Sequence, residues 1–138
     1  YYPTMEIEEI CAMPIKEMTD TNAALFMWTT SGFLEKSFEV VHAWGFEYKA
    51  SFIWDKVLHN IGYYNSVRHE ILLLCIKGSY PIQNLKLYDS VYSEEKTEHS
   101  KKPEFFYEMI EDLYPNSKKI ELFARNRREG WTSFGNQN

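Results

Sequence analysis

The last forty residues constrain the fold of this chain more than any other segment. Pro103 stands where a first helical residue would, and Pro115 ends the helix. One face of that helix is apolar at three- and four-residue spacing: Phe106, Met109, Ile110 and Leu113. Residues 119–124 then form a strand that delivers Arg125 and two amide side chains to its carboxyl edge, where open α/β sheets hold nucleotide-like ligands. This order predicts a cofactor pocket.

Two helices are predicted upstream of this segment. Thr4 fits the N-cap position of a short helix over residues 5–13, which Pro14 ends. Residues 32–44 carry an apolar stripe at helical spacing, and Gly45 follows as a C′ cap. The stripe consists of Leu34, Phe38, Val41 and Trp44.

The remaining apolar runs predict strands. They cover residues 23–28, 46–54 and 70–76, with a weaker candidate over 85–92, before the strand at 119–124. The second and third can pair antiparallel across a loop that contains His59, Asn60, Gly62 and Asn65. The resulting order of strand, helix, two strands, helix and strand implies an α/β sandwich with a mixed sheet.

Composition limits the class of protein. A chain of 138 residues with 44% hydrophobic residues fits one globular domain. It has no twenty-residue apolar run and no signal-peptide pattern, so a soluble cytoplasmic protein without a membrane partner is expected. Cys11 and Cys75 fall in different predicted elements, which is typical of reduced structural thiols.

Charge is unevenly distributed along the chain. The net charge of −5 argues against binding nucleic acid by bulk attraction. Basic residues nevertheless gather near the end: Lys96, His99, Lys101, Lys102, Lys118, Lys119, Arg125, Arg127 and Arg128. They could form a rim that meets phosphates, or an ordinary solvated face interrupted by acidic residues.

Several common active sites are disfavoured by the motifs. The histidines and cysteines lack the H-E-x-x-H and paired-cysteine spacings of zinc sites, so no metal is expected. The sequence also lacks a G-x-S-x-G elbow, a Walker loop and a G-x-G-x-x-G turn, which disfavours hydrolase, nucleotidase and ordinary dinucleotide-binding functions.

A series of short motifs is spread along the whole chain in a recognisable order. They are Y-P-T-M, L-F-M-W-T-T, A-W-G-F, I-W-D-K, H-E-I-L-L-L with K-G, S-K-K-P, I-E-L-F-A-R, and a closing G-W and G-N-Q. In this order they strongly resemble the MT-A70 family of S-adenosylmethionine-dependent adenine N6-methyltransferases. The resemblance implies a circularly permuted Rossmann-like methyltransferase fold.

One motif of that family is absent from residues 1–138. The family's catalytic D-P-P-W tetrad normally lies just upstream of the Y-x-T-M run, which here begins at Tyr2. The catalytic residues are therefore unknown. We expect residues 1–138 to be the carboxyl-terminal portion of an MT-A70-like methyltransferase domain that lacks an N-terminal part.

The resemblance assigns two groups of site residues. It places Lys102 near the methionine carboxylate of S-adenosylmethionine. Around the ribose and adenine of that cofactor it places Phe123, Arg125, Asn136 and Gln137. Their chemistry suits these partners, since an ammonium pairs with a carboxylate and amides pair with a base edge. Each could instead be structural: a surface lysine, a core phenylalanine, an exposed arginine or a frayed tail.

For the target base the resemblance points to four other residues: Tyr2, Trp28, Trp54 and Glu70. Aromatic rings offer stacking surface, and a carboxylate could accept a hydrogen bond from the adenine amine or order a loop. Trp28 and Trp54 end apolar strands, where a core role is an equal alternative.

The function implied is methyl transfer to the N6 amine of adenine in nucleic acid, with DNA favoured over RNA. The alternative is a non-catalytic nucleic-acid-binding or scaffolding subunit of a methyltransferase complex. Either would act as a homodimer or with a related subunit. A bacterial or phage protein of this kind would be cytoplasmic and nucleoid-associated.

Overall fold

The computed structural model describes residues 6–97, 101–123 and 126–134. The chain enters through two short helices, α1 (Ile7–Cys11) and α2 (Ile15–Met18). The helix predicted over residues 5–13 is shorter than expected, because α1 begins after Glu6, whose backbone N–H donates to the Glu9 carboxylate at 3.0 Å. An acidic side chain therefore caps the start of α1. Thr4, the predicted cap, lies outside the described residues.

A mixed four-stranded sheet forms the middle of the molecule. Its strands are β1 (Ala23–Thr29), β2 (Glu47–Ile61), β3 (Ser66–Lys77) and β4 (Val91–Ser93). Their spatial order is β1, β3, β2, β4, with β3 antiparallel to both neighbours and β4 parallel to β2. The predicted mixed sheet and the antiparallel pairing of β2 with β3 are confirmed.

Helices α3 (Leu34–Ala43) and α4 (Glu104–Leu113) cover the two faces of this sheet. Alternate residues of β3 pack on opposite sides. Leu73 joins the core that includes α3, and Leu72 joins the core that includes α4. Gly45 ends α3 with φ of +87°, as predicted for a C′ glycine. The result is an α/β sandwich with β3 buried on both faces.

A second, two-stranded sheet consists of β5 (Lys119–Leu122) parallel to β6 (Trp131–Phe134). The prediction that residues 119–124 are the last strand is wrong, since β6 follows; Ala124 itself lies outside the described residues. Within those residues, β1 pairs only with β3 and β5 pairs only with β6. Each strand therefore keeps one open edge.

Two predicted boundaries also differ. β2 continues into the expected loop as far as Ile61, and β3 already begins at Ser66, because backbone pairing persists between Asn60 and Val67. The weak strand over 85–92 reduces to Val91–Ser93. No helix in the described ranges has the length and apolar character needed to cross a membrane.

Candidate functional site

The candidate site lies at one end of the main sheet. Trp54 on β2 stands opposite Glu70 on β3, and Thr29, which ends β1, stands opposite Ile71. Trp28 and Trp54 both pack into the core on the α4 face. The register therefore brings the two tryptophans and Glu70 to the same end of the sheet.

Glu70 is held between two lysines. Its Oε1 accepts a hydrogen bond from Lys102 Nζ at 2.6 Å, and its Oε2 accepts one from Lys56 Nζ at 3.1 Å. The three side chains are only 10–14% exposed. A carboxylate and two ammonium groups thus share a largely buried position, where charge-assisted hydrogen bonds are strong.

Two indole rings surround the Lys102 ammonium. Its Nζ lies 5.1 Å from the Trp28 ring centroid and 5.9 Å from that of Trp54. The two rings meet edge to face at 6.1 Å, and Trp54 Nε1 donates to the Glu94 carbonyl oxygen at 2.8 Å. Cation–π attraction and the Glu70 carboxylate together fix the position of Lys102. We call Trp28, Trp54, Lys56, Glu70 and Lys102 the Glu70 cluster.

The protonation of Glu70 follows from these contacts. Burial alone would raise the pKa of its carboxyl group, but the charges of Lys102 and Lys56 and their hydrogen bonds outweigh burial and lower that pKa. Glu70 is therefore ionised at neutral pH, which lets it act as an acceptor of hydrogen bonds.

A cleft of about 1210 Å³ opens beside the cluster, between β1, α4 and β5. Trp28, Lys102 and Phe123 line it, together with the exposed cations Lys101, Lys118 and Arg127. Within residues 6–97, 101–123 and 126–134, no three His, Cys, Asp or Glu side chains gather as metal ligands would. Three acidic residues also line it, but cations are in excess, which suits a ligand that carries a carboxylate or phosphate group.

Phe123, the residue directly after β5, has an unusual backbone conformation. Its φ is +59°, in the left-handed region that bulky residues rarely adopt, and its backbone N–H donates to the Phe134 carbonyl oxygen at 2.9 Å. Such a conformation persists only where the surrounding structure imposes it, and it is concentrated at ligand sites.

A second charged group, which we call the Glu111 cluster, joins α4 to β6. Arg128 Nε and Nη2 donate to the two carboxylate oxygens of Glu111 at 2.6 and 3.0 Å, and Trp131 Nε1 donates to Oε2 at 2.8 Å. Arg128 also contacts the Glu104 carboxylate and lies over the Tyr107 ring at 5.0 Å. This arginine is therefore engaged in fixing the segment that precedes β6.

The predicted site residues fall into three groups. Trp28, Trp54, Glu70 and Lys102 come together, although Lys102 was assigned to the cofactor and the others to the base. Phe123 lies on the cleft wall. Four others lie outside the described residues: Tyr2, Arg125, Asn136 and Gln137. The roles of all nine residues stay predictions.

Sequence reasoning missed Lys56 as a member of the site. The alternation of strand side chains could have found it, since Lys56 stands two residues after Trp54 and so shares its face of β2. Only 8% of Lys56 is exposed, which is rare for a lysine and requires a partner such as Glu70.

Comparison with known proteins agrees with this architecture. The MT-A70 family profile matches residues 1–137, and the chain belongs to that family. The Type II methyltransferase M.MunI of Mycoplasma sp is 35% identical over 136 residues, covering 97% of this chain and 58% of that protein. The N(6)-adenosine-methyltransferase catalytic subunit METTL3 of Homo sapiens is 33% identical over 146 residues, covering 99% of this chain and 25% of its own length.

A plant relative gives the same result. The N(6)-adenosine-methyltransferase MT-A70-like protein of Arabidopsis thaliana is 33% identical over 146 residues, covering 99% of this chain and 21% of that protein. The chain thus spans between about a fifth and just under three fifths of the length of these three relatives.

Proposed function

We propose that this chain is part of a methyltransferase domain that transfers a methyl group from S-adenosylmethionine to the N6 amine of adenine in nucleic acid. The observation that carries the proposal is the Glu70 cluster at the mouth of a cationic cleft in a member of the MT-A70 family. DNA is favoured over RNA because the relative named as a type II methyltransferase, a class of DNA-modifying enzymes, is matched over the larger share of its length.

The donor set of the cleft fits the cofactor. S-adenosylmethionine supplies an electrophilic methyl group on a sulfonium centre. Lys102 would hold its carboxylate, since an ammonium has three N–H donors and the Glu70 contact takes one. Phe123 offers an aromatic ring on the cleft wall. The family resemblance adds Arg125, Asn136 and Gln137 for the ribose and adenine.

The Glu70 cluster would orient the target base. The exocyclic amine of adenine is a poor nucleophile because its lone pair is delocalised into the ring, so acceptors that align the amine favour reaction. Each Glu70 oxygen keeps acceptor capacity beyond its lysine contact. Trp28 offers a half-buried ring at the cleft, whereas Trp54, only 2% exposed, supports Trp28 from behind. Tyr2 completes the assigned set.

The open strand edges support a larger domain. Among the described residues, β1 and β5 each keep one unpaired edge, and residues of both strands line the same cleft, so a further strand between them would join the two sheets into one. We assign that position to the segment that carries the family's D-P-P-W tetrad, which residues 1–138 do not contain.

A non-catalytic subunit is the second candidate function. Both Glu70 oxygens are occupied by lysines, which favours a structural role for that carboxylate. Such a protein would bind nucleic acid beside a catalytic partner, as a homodimer or with a related subunit. Both candidate functions predict a cytoplasmic protein, which would be associated with the nucleoid if the protein is of bacterial or phage origin.

Methyl transfer by the intact protein tests the proposal. The protein is incubated with S-adenosylmethionine and matched DNA and RNA oligonucleotides, and mass spectrometry measures N6-methyladenine. We expect product, with more from DNA. Binding of oligonucleotide without product or cofactor affinity would favour the scaffolding subunit instead.

Calorimetry tests the cofactor assignment separately. Lys102→Ala should weaken S-adenosylmethionine binding about tenfold or more, because it removes a charge-assisted hydrogen bond. Asn136→Ala should also weaken it. Lys101→Ala is the matched control, since Lys101 is an exposed neighbour on the same cleft. Unchanged affinity in both Lys102→Ala and Asn136→Ala would remove the pocket assignment.

A further inference from the structure

Residues 56–69 form a projecting hairpin, which we call the β2–β3 arm. β1 ends opposite Ile71, whereas β2 and β3 run on past that level and remain paired at Asn60 with Val67. The arm therefore overhangs the end of the sheet that carries the Glu70 cluster. A flexible loop would not hold a fixed position there, but paired strands do.

The base of the arm is fixed by one carboxylate. Asp55 accepts hydrogen bonds from the Val57 backbone N–H at 2.9 Å, from Ser93 Oγ at 2.8 Å and from Arg68 Nη2 at 3.1 Å. Val57 has φ of +69°, a strained value for a β-branched residue, within a bulge where residues 56–59 face only Arg68. The arm thus leaves the sheet in a defined direction.

The tip of the arm is a tight turn that exposes two aromatic rings. Gly62 N–H donates to the Asn65 carbonyl oxygen at 2.9 Å, and a Cβ on Gly62 would lie 2.8 Å from that oxygen, so only glycine fits. Tyr63 and Tyr64 lie between Gly62 and Asn65, and both are fully exposed, at 103% and 102%. With Ile61, which is 101% exposed beside them, the two rings form an exposed apolar patch, and such patches mark interaction sites.

The charge of the arm suits nucleic acid. No acidic residue lies between Asp55 and Glu70, in a chain whose net charge is −5. Asp55 is paired with Arg68, and Glu70 is paired with two lysines, so the arm presents no net negative charge to phosphates. The exposed polar groups near the tip are amide, hydroxyl and imidazole side chains: His59, Asn60, Asn65 and Ser66.

We propose that Tyr63 and Tyr64 stack on unpaired bases of the substrate strand, a few nucleotides away from the target adenine. From Glu70 to Ser66 the strand extends roughly 13 Å, which corresponds to about four nucleotides at base-stacking distance. Aromatic stacking accepts any base, so the arm would add affinity and positioning without sequence preference. This inference rests on the proposed action on nucleic acid.

Oligonucleotide length distinguishes the arm from the base pocket. Fluorescence anisotropy is measured on the intact protein with labelled single-stranded DNA of about five and about fifteen nucleotides around one adenine. The wild type should bind the longer strand more tightly. Tyr63→Ala with Tyr64→Ala should weaken binding of the longer strand about fivefold or more and leave the shorter strand unchanged.

Two control variants complete the experiment. Tyr63→Phe with Tyr64→Phe keeps both rings and should keep wild-type affinity. Leu85→Ala with Leu87→Ala removes two other exposed side chains, 93% and 91% exposed, and should change nothing. Wild-type affinity of the double alanine variant for the longer strand would overturn the inference.

The remaining outcomes are also decisive. If the wild type methylates adenine but binds both lengths equally, the arm inference fails while the proposed function stands. If it binds neither strand, both fail. If the double alanine variant loses self-association in sedimentation velocity and binds DNA normally, the arm contacts protein, which overturns the inference.

Discussion

The Glu70 and Glu111 clusters use the same ingredients in different surroundings. Each pairs a carboxylate with a cation that lies over an aromatic ring. Glu70 and Lys102 are 14% and 13% exposed, whereas Glu111 and Arg128 are 34% and 24% exposed. Removing one partner of a buried pair leaves the other charge buried without a counter-charge, which lowers the free energy of unfolding strongly. A pair at the surface is screened by water and salt, so its removal costs less. The buried Glu70 cluster is therefore suited to holding Lys102 in one position. The more exposed Glu111 cluster is suited to attaching a surface segment to α4.

The largest expected effect comes from Glu70→Ala. It leaves Lys56 and Lys102 without a counter-charge in a position with little water, so the free energy of unfolding should fall by about 3–5 kcal/mol. Urea denaturation measures this loss. Glu70→Gln keeps one acceptor oxygen, so its free energy of unfolding should fall by less. A fall below about 1 kcal/mol in Glu70→Ala would show that the two lysines reach water freely.

Acid should weaken both clusters. The pKa of Glu70 is lowered in the folded protein, so its stabilising contribution is complete above the unfolded pKa of about 4.3 and is lost as pH falls through the folded pKa. Hydrogen bonding from Arg128 also lowers the pKa of Glu111, in a more exposed position. The fall in melting temperature between about pH 6 and pH 3 should therefore be smaller in Glu70→Gln and in Glu111→Gln than in the wild type. A fall as large as that of the wild type in either variant would show that the carboxyl group it replaces does not have a lowered pKa in the folded protein.

Arg128→Ala should have a modest effect. The lost pair is partly exposed, so the free energy of unfolding should fall by about 1 kcal/mol. Combining it with Glu111→Ala in a double-mutant cycle isolates the coupling between the two side chains. A loss as large as that in Glu70→Ala would mean that the Glu111 cluster is as buried in solution as the Glu70 cluster.

Salt should have the smallest effect. Raising sodium chloride to about 1 M shortens the screening distance to about 3 Å and should lower the Arg128–Glu111 coupling by a few tenths of a kcal/mol. The coupling between Lys102 and Glu70, measured in the same way, should stay nearly constant. Equal loss in both cycles would remove the distinction between the clusters.

The local parts of the fold could be predicted from the sequence. The apolar stripe from Leu34 to Trp44 and the pair of Pro103 with Pro115 indicate both main helices, because helical periodicity and proline geometry are local properties. β6 was missed because four residues give too short a pattern. The β2–β3 arm was missed because its glycine and asparagines are typical of loops, while its strand pairing depends on β3.

The site could be predicted only in part. Its residue types followed from the family resemblance, but the contact between Glu70 and Lys102 joins positions 32 residues apart, and Lys56 joins them from a third element. Only the register of β2 against β3 and the start of α4 bring these side chains together. The left-handed turn at Phe123 likewise depends on its contact with β6, which no local pattern reveals.

A crystal structure of the intact protein with S-adenosylhomocysteine tests the central claim most directly. The account predicts the ligand in the cleft between β1, α4 and β5, with its carboxylate within hydrogen-bonding distance of Lys102 Nζ and Glu70 still bound to that lysine. A ligand bound elsewhere, or a Lys102 side chain turned away from it, would contradict the account.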